Sequence, residues 1–167
     1  MQMMFKTAIA AACMLASGMV FGQTCASPSS WTPDVAGAPP QSGTTCGAAD
    51  AVSLYCGLLD SASKPDVIYQ ITLAAAGPTR TATSIVVGGG GAGFTPNAFL
   101  YSDACAQADA CAETGDPLLP LPLTGVAAGT YFLAVSATSV DGPNACGTYT
   151  LTTQGTFPVA LQNFSVD

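Results

Sequence analysis

Asp103, Asp109, Glu113 and Asp116 crowd one stretch of the chain, DACAQADACAETGD, together with Cys105 and Cys111. Carboxylates at this density suit a calcium site. The ion takes six to eight oxygens at about 2.3–2.6 Å, and a loop closed by a disulfide supplies carboxylates and carbonyls from a small volume. The spacing is not the alternating Asp/Asn/Gly series of an EF-hand, so the alternative is a solvated acidic loop that keeps a sparsely charged protein in solution. The same carboxylates also invite a glycosidase reading, which needs two carboxyls about 5–9.5 Å apart across a cleft. Nothing in the sequence supplies that cleft, and Trp31, the single tryptophan available for sugar stacking, lies far from the loop in an N-terminal arm.

Other chemistries are removed by composition. The chain has no histidine, which excludes Ser-His-Asp and Cys-His nucleophiles and histidine zinc sites. A Ser-Lys dyad would have to use Lys64, whose surroundings, SASKPD, read as a solvated turn before a strand. The run GGGGAG, Gly88–Gly93, ends in Phe94-Thr95-Pro96 rather than in Gly-Lys-Ser/Thr and a helix, so it is a flexible connection and not a phosphate loop. Tyr55, Tyr69, Tyr101, Tyr131 and Tyr149 would form a sugar platform if they faced outward. Three of them sit in strand patterns, which favours core or sheet-edge packing.

The elements that position these residues begin after an expected leader. Residues 1–22 carry one charge, Lys6, then an apolar run from Thr7 to Phe21 and small residues Val20 and Gly22 before Gln23. An apolar core this short suits a cleaved export signal better than a membrane span of about 20 residues. The protein is therefore expected to be secreted, periplasmic or on the cell surface, with no membrane insertion after cleavage. Beyond the leader only Lys64 and Arg80 oppose ten carboxylates. Nucleic acid is excluded as a partner, because affinity for its backbone comes from neutralising several phosphates.

Seven cysteines occur, and Cys13 leaves with the leader. The remaining six, Cys25, Cys46, Cys56, Cys105, Cys111 and Cys146, read as three disulfides in an exported chain. Counting alone leaves about fifteen pairings open. Locality favours Cys105–Cys111, then Cys46–Cys56, which would leave Cys25 to tie the arm to the last core strand through Cys146.

Residues 23–59 are rich in Ser, Thr, Pro and Gly and read as an arm or cap tethered by cysteines. From residue 60 the pattern changes. Val67, Tyr69, Ile71 and Leu73 share one face of a two-residue period. Thr81–Val87 is dominated by β-branched residues, NAFLYS follows the glycine run, and Tyr131–Ala137 and Tyr149–Thr153 are the clearest strands. Pro120 and Pro122 confine LLPLPLTG to an edge, since each removes a ladder donor. Short strands, frequent turns and no helical stripe predict an all-β protein: an antiparallel, jelly-roll-like β-sandwich stapled by disulfides, spanning 60–154, with 155–167 as a tail or edge strand.

Four motifs in order give a family resemblance. DVIYQITL has an Asp-x-x-Tyr strand opening, NAFLYSDAC ends a strand in Leu-Tyr, AAGTYFLAV has an Ala-Gly-Thr-Tyr turn entering a strand, and CGTYTLTT has Gly-x-Tyr-x-Leu. Over roughly Asp60 to Gln154 the chain resembles the bacterial pre-peptidase C-terminal domain, a secreted β-sandwich. The resemblance implies a non-catalytic accessory module, in some members binding collagen or polysaccharide, sometimes with structural calcium. Where the family often has Asp-Pro before the central strand this chain has Thr95-Pro96, so no calcium ligand carries over there. The function expected is a binding or adhesion module for extracellular polysaccharide or protein, requiring no cofactor unless calcium orders the acidic loop. The alternatives are a structural component of the cell surface or an extracellular assembly and, behind it, a carboxylate-dependent hydrolase.

Overall fold

Alternating apolar residues build two sheets that face each other. The computed structural model describes residues 24–34, 38–52, 54–55, 58–59, 64–75, 80–102 and 113–155. The expected leader, Cys56, Asp103, Cys105, Asp109, Cys111 and the tail from residue 156 lie outside them. One sheet has five strands in the order β1 (Ser29–Trp31), β5 (Val67–Leu73), β10 (Gly129–Ala137), β7 (Pro96–Tyr101) and β8 (Glu113–Gly115). The other has four, β2 (Gln41–Thr44), β11 (Thr148–Gly155), β6 (Ala82–Gly89) and β9 (Leu121–Pro122). A small hairpin, β3 (Leu54–Tyr55) with β4 (Leu58–Leu59), stands apart. The protein is all-β as predicted, and no helix occurs among the described residues.

The alternation read from the sequence sets the inner faces. Val67, Tyr69, Ile71 and Leu73 of β5 point inward with Tyr131, Leu133 and Val135 of β10, meeting Ile85 and Val87 of β6 and Tyr149 and Leu151 of β11 in one buried cluster. Truncating a residue such as Leu133, fully buried there, to Ala is expected to cost about 2–5 kcal/mol, the transfer term plus the cavity. Pro122 lies in β9, which among the described residues pairs with β6 alone, so it sits at a sheet edge as expected.

Two features depart from the simple sandwich. The five-stranded sheet is mixed rather than purely antiparallel, because β1 runs parallel to β5 with Trp31 opposite Ile71. With β1 on one sheet and β2 on the other, the N-terminal arm supplies an edge strand to each rather than only covering them. The outer face of the five-stranded sheet is also covered: Ile68, Phe99, Tyr101 and Ala134 form a second cluster with Val52 and the half-buried Phe132. This explains why β5 is buried on both faces along its first half.

Tyr149 occupies a gap made for it. It lies opposite Gly43 on one side and Gly89 on the other, and a Cβ on Gly43 would stand 2.7 Å from its hydroxyl. Gly89 has φ +97°, and a Cβ there would meet the Thr148 carbonyl at 2.6 Å, so only glycine fits. The glycine run is therefore an ordered turn rather than a flexible connection: Gly91 and Phe94 exchange backbone hydrogen bonds within it.

Candidate functional site

The strand registers bring four loops to one end of the sandwich. Ala137 pairs with Pro96, and Ala98 with Gly115, so residues 138, 95 and 116 leave the first sheet side by side. Tyr149 pairs with Gly89, and Thr148 with Thr44, so the second sheet delivers residues 90–95, 138–147 and 45–50 to the same end.

Two carboxylates shape these loops. Asp116 follows β8, and its Oδ1 accepts from the backbone N–H of Leu118 (2.7 Å) and Leu119 (2.8 Å), while its own N–H donates to the Leu119 carbonyl at 2.8 Å. This Asx turn fixes the backbone of DPLLP and leaves Leu118 89% and Leu119 68% exposed. Asp141 does the same in the loop after β10. Its Oδ2 accepts from the Thr138 N–H (3.0 Å), the Thr138 hydroxyl (2.9 Å) and, across the end, the Thr95 N–H (2.9 Å). Val140 stands 88% exposed beside it. Partial burial by itself pushes the Asp141 carboxyl up, but the three hydrogen bonds and the nearby Lys64 charge outweigh it and hold the group below its usual pKa.

Lys64 is buried rather than solvated as its sequence context suggests. Its ammonium donates to the Thr138 carbonyl, and its side chain lies beneath the same loop, 4% exposed. Next to it Asp66, fully buried, accepts from the N–H groups of Ala51 (2.9 Å) and Val52 (2.8 Å) and pins the arm over the sheet. Ser136, opposite Asp66 in the continued β10–β5 register, and its neighbour Asn97 each bury an oxygen with no hydrogen-bond partner. Ser136 is fully buried and is not among the residues that line the cleft described next.

A cleft of about 270 Å³ opens at this end, lined by Gly47, Ala48, Asp50, Pro65, Asn144 and Cys146. Its wall is a disulfide, Cys46–Cys146, with a Cα–Cα separation of 4.8 Å. This corrects the pairing expected from locality: Cys46 does not pair with Cys56, nor Cys25 with Cys146. The reason is the β2–β11 ladder, which sets Thr44 opposite Thr148 and brings Cys46 and Cys146 off the same end together. Thr45 adds hydrogen bonds in both directions to Gly147, at 3.0 and 3.2 Å. Cys25 is also oxidised, with its partner outside the described residues.

The opposite end is built around a buried ion pair. Asp34 accepts from the N–H groups of Ala74 (2.7 Å), Thr81 (3.0 Å) and Ala82 (3.2 Å). Arg80, with Nε 3.9 Å from Asp34 Oδ2, donates to the carbonyls of Ala74, Leu123 (2.8 Å), Val126 (2.6 Å) and Ala127 (3.2 Å). Tyr131 completes the clasp by donating to the Ala127 carbonyl at 3.0 Å. Both charges serve backbone groups that would otherwise be orphaned.

Of the acidic cluster read from the sequence, Asp103 and Asp109 lie outside the described residues, and Glu113 is described only as part of the β8 backbone. Asp116 commits one carboxylate oxygen to its own turn, which leaves at most one for a calcium ion. No group of three or more metal-ligating side chains occurs among the described residues. Trp31 packs edge-on against Tyr69, with ring centroids 6.3 Å apart, inside the core and not on a sugar-binding surface. Tyr69, Tyr101, Tyr131 and Tyr149 are buried as well. Leu118, Leu119, Val140 and Asp141 were not among the candidate residues legible in the sequence. The DP and VDG turn signals were present, but apolar residues beside them read as ordinary strand or loop. Comparison of the chain with family models, with curated proteins and with solved structures gave no match.

Proposed function

We propose that the chain is an exported, non-catalytic binding module that recognises an extracellular polymer or protein through the loops gathered at one end of its sandwich. The carrying observation is that Asp116 and Asp141 hold their turns by backbone hydrogen bonds while Leu118, Leu119 and Val140 stand in solvent. Exposed apolar side chains on pre-ordered turns bind with little loss of backbone freedom, which favours affinity. Asp34, Asp66, Asp116 and Asp141 each accept hydrogen bonds from backbone donors, a structural use of these carboxylates that supports the non-catalytic reading. The four motifs by which the sequence resembles the pre-peptidase C-terminal domain open or close β5, β7, β10 and β11, a placement at strand ends that supports the proposed likeness.

The test is capture. Oxidised protein is incubated with insoluble polysaccharides, collagen and immobilised extracellular proteins, and the retained fraction is measured for the wild type and for L118S/L119S. Retention that the double variant loses supports the reading. Equal retention of the two places binding elsewhere, and hydrolysis of any of these polymers removes the non-catalytic assignment.

A further inference from the structure

Asp116 is followed by Pro117, and no other aspartate in the chain precedes a proline. The pair sits where β8 of one sheet turns into β9 of the other, and residues 117–120 are exposed to water. The Asp116 side chain is not free to swing away from the main chain. Its Oδ1 accepts from the N–H groups of Leu118 and Leu119 at 2.7 and 2.8 Å. The first of these bonds closes a ring that contains the Asp116 carbonyl carbon and the Pro117 nitrogen. Oδ2 accepts no hydrogen bond from the described residues. Proline has no N–H, so its nitrogen leaves a broken peptide bond as a secondary amine, which takes up a proton more readily than the primary amine of another residue.

We infer that the Asp116–Pro117 bond is a self-cleavage site, cut by the Asp116 carboxylate. A carboxylate oxygen attacks the residue's own carbonyl carbon, and a C–O bond forms in a cyclic anhydride. The C–N bond breaks, its electron pair stays on the Pro117 nitrogen, and a solvent proton completes the amine. Water then opens the anhydride, which leaves two carboxylates on Asp116 and makes Pro117 a new N-terminus. The net reaction consumes one water and needs no oxidant, reductant or cofactor. Anchoring of Oδ1 spares the rotational freedom that an unheld side chain would lose on reaching the carbonyl. The fold survives the cut. Gly115 is paired with Ala98 and Leu121 with Ile85, and a Cβ on Gly115 would stand 2.4 Å from the Leu121 nitrogen. The two pieces also interleave: β10 of the C-terminal piece lies between β5 and β7, and its β11 lies between β2 and β6. The Cys46–Cys146 disulfide joins them covalently. Cleavage therefore yields a nicked but undivided protein, with Leu118 and Leu119 carried on a free N-terminus instead of a closed turn.

The test incubates the purified, oxidised protein in mildly acidic buffer with protease inhibitors and samples it over days by mass spectrometry and denaturing gels. Without reductant the protein should remain one species, heavier by one water. With reductant it should divide into a fragment ending at Asp116 and one beginning at Pro117. D116N, which keeps the acceptor of the turn, and P117A should each cut at least about tenfold more slowly. The wild type unfolded in urea and reductant should also cut more slowly, because its carboxylate turns freely. A chain that stays whole under reduction overturns the inference, as does cutting of D116N at the wild-type rate. Equal rates for the folded and unfolded wild type overturn it too, since the fold then adds nothing to the cleavage.

Discussion

Tyr69 and Tyr149, one from each sheet, meet in the middle of the core with their hydroxyls 2.7 Å apart. One hydroxyl donates to the other, and either can be the donor. Their rings pack edge to face at 6.5 Å, extending the Trp31–Tyr69 contact into a row of three aromatics across the sandwich. Y69F and Y149F should each destabilise by about 1–3 kcal/mol, because each strands a buried hydroxyl. The double variant Y69F/Y149F should lose less than the sum, since no orphan is left. Urea titration of the four proteins closes the cycle, and strict additivity would contradict a shared bond.

The same pair predicts an alkaline limit. Burial pushes both phenols up from 10.0; the bond to Tyr149 partly offsets this for Tyr69, and for Tyr149 the bond to Tyr69 adds to it. A folded pKa above the unfolded one means that stability is fully present below about pH 10 and is lost as pH rises beyond it, because the unfolded chain ionises first. The melting temperature should therefore fall above pH 10, and less steeply in Y69F/Y149F.

Asp141 sets the opposite limit. Its folded pKa lies below 3.8, so its contribution is present above that value and lost as pH falls through the folded pKa. D141A should show a shallower stability loss than the wild type over this acidic window. Amide exchange at Thr95 and Thr138 should rise in the variant at neutral pH.

The buried pair at the far end is expected to be the costliest to break. D34A or R80M should each destabilise by about 3–5 kcal/mol, because the remaining charge and several backbone groups lose their partners. A loss below about 1 kcal/mol in either variant would show that water replaces these bonds.

Asp116 distinguishes turn from metal. D116A should cost about 0.5–2 kcal/mol, the range for losing a side-chain cap, whereas D116N keeps an acceptor at Oδ1 and should stay near the wild type. Both differences should be the same in calcium and in chelator. A calcium-dependent melt abolished by D116N would assign Asp116 to the ion instead.

Peptide mapping without reduction should recover Cys46 linked to Cys146. With Cys105 bridged to Cys111, Cys25 should be found with Cys56. The Cys46–Cys146 link spans a sequence separation of 100 residues, and C46A/C146A should lower stability by about 3–5 kcal/mol through the freed unfolded chain.

The sandwich was legible because β5 and β10 alternate residue by residue, and a period of two survives without knowledge of partners. The parallel β1 was not, since SSW is too short to show a period and gains its meaning only beside Ile71. Disulfide pairing failed for a related reason: locality ranks cysteines by chain distance, but the β2–β11 register decides which ones meet. Lys64 looked like a surface charge because nothing local reveals that the carbonyl of residue 138 meets it, just as nothing local brings the carbonyls of residues 123 and 126 to Arg80. The loop end stayed hidden because exposure of an apolar residue is a property of the folded surface.

The burial of Lys64 and Arg80 also determines how the chain meets proteases. Enzymes of trypsin specificity cut after lysine or arginine and are blocked when proline follows. Lys64 precedes Pro65, so residues 23–167 contain one cleavable bond of this kind, Arg80–Thr81. That bond has its arginine locked among four carbonyls and its threonine N–H held by Asp34. Digestion by such an enzyme becomes a direct readout of opening at this end of the sandwich, and the folded chain presents an enzyme of this specificity with almost nothing to cut.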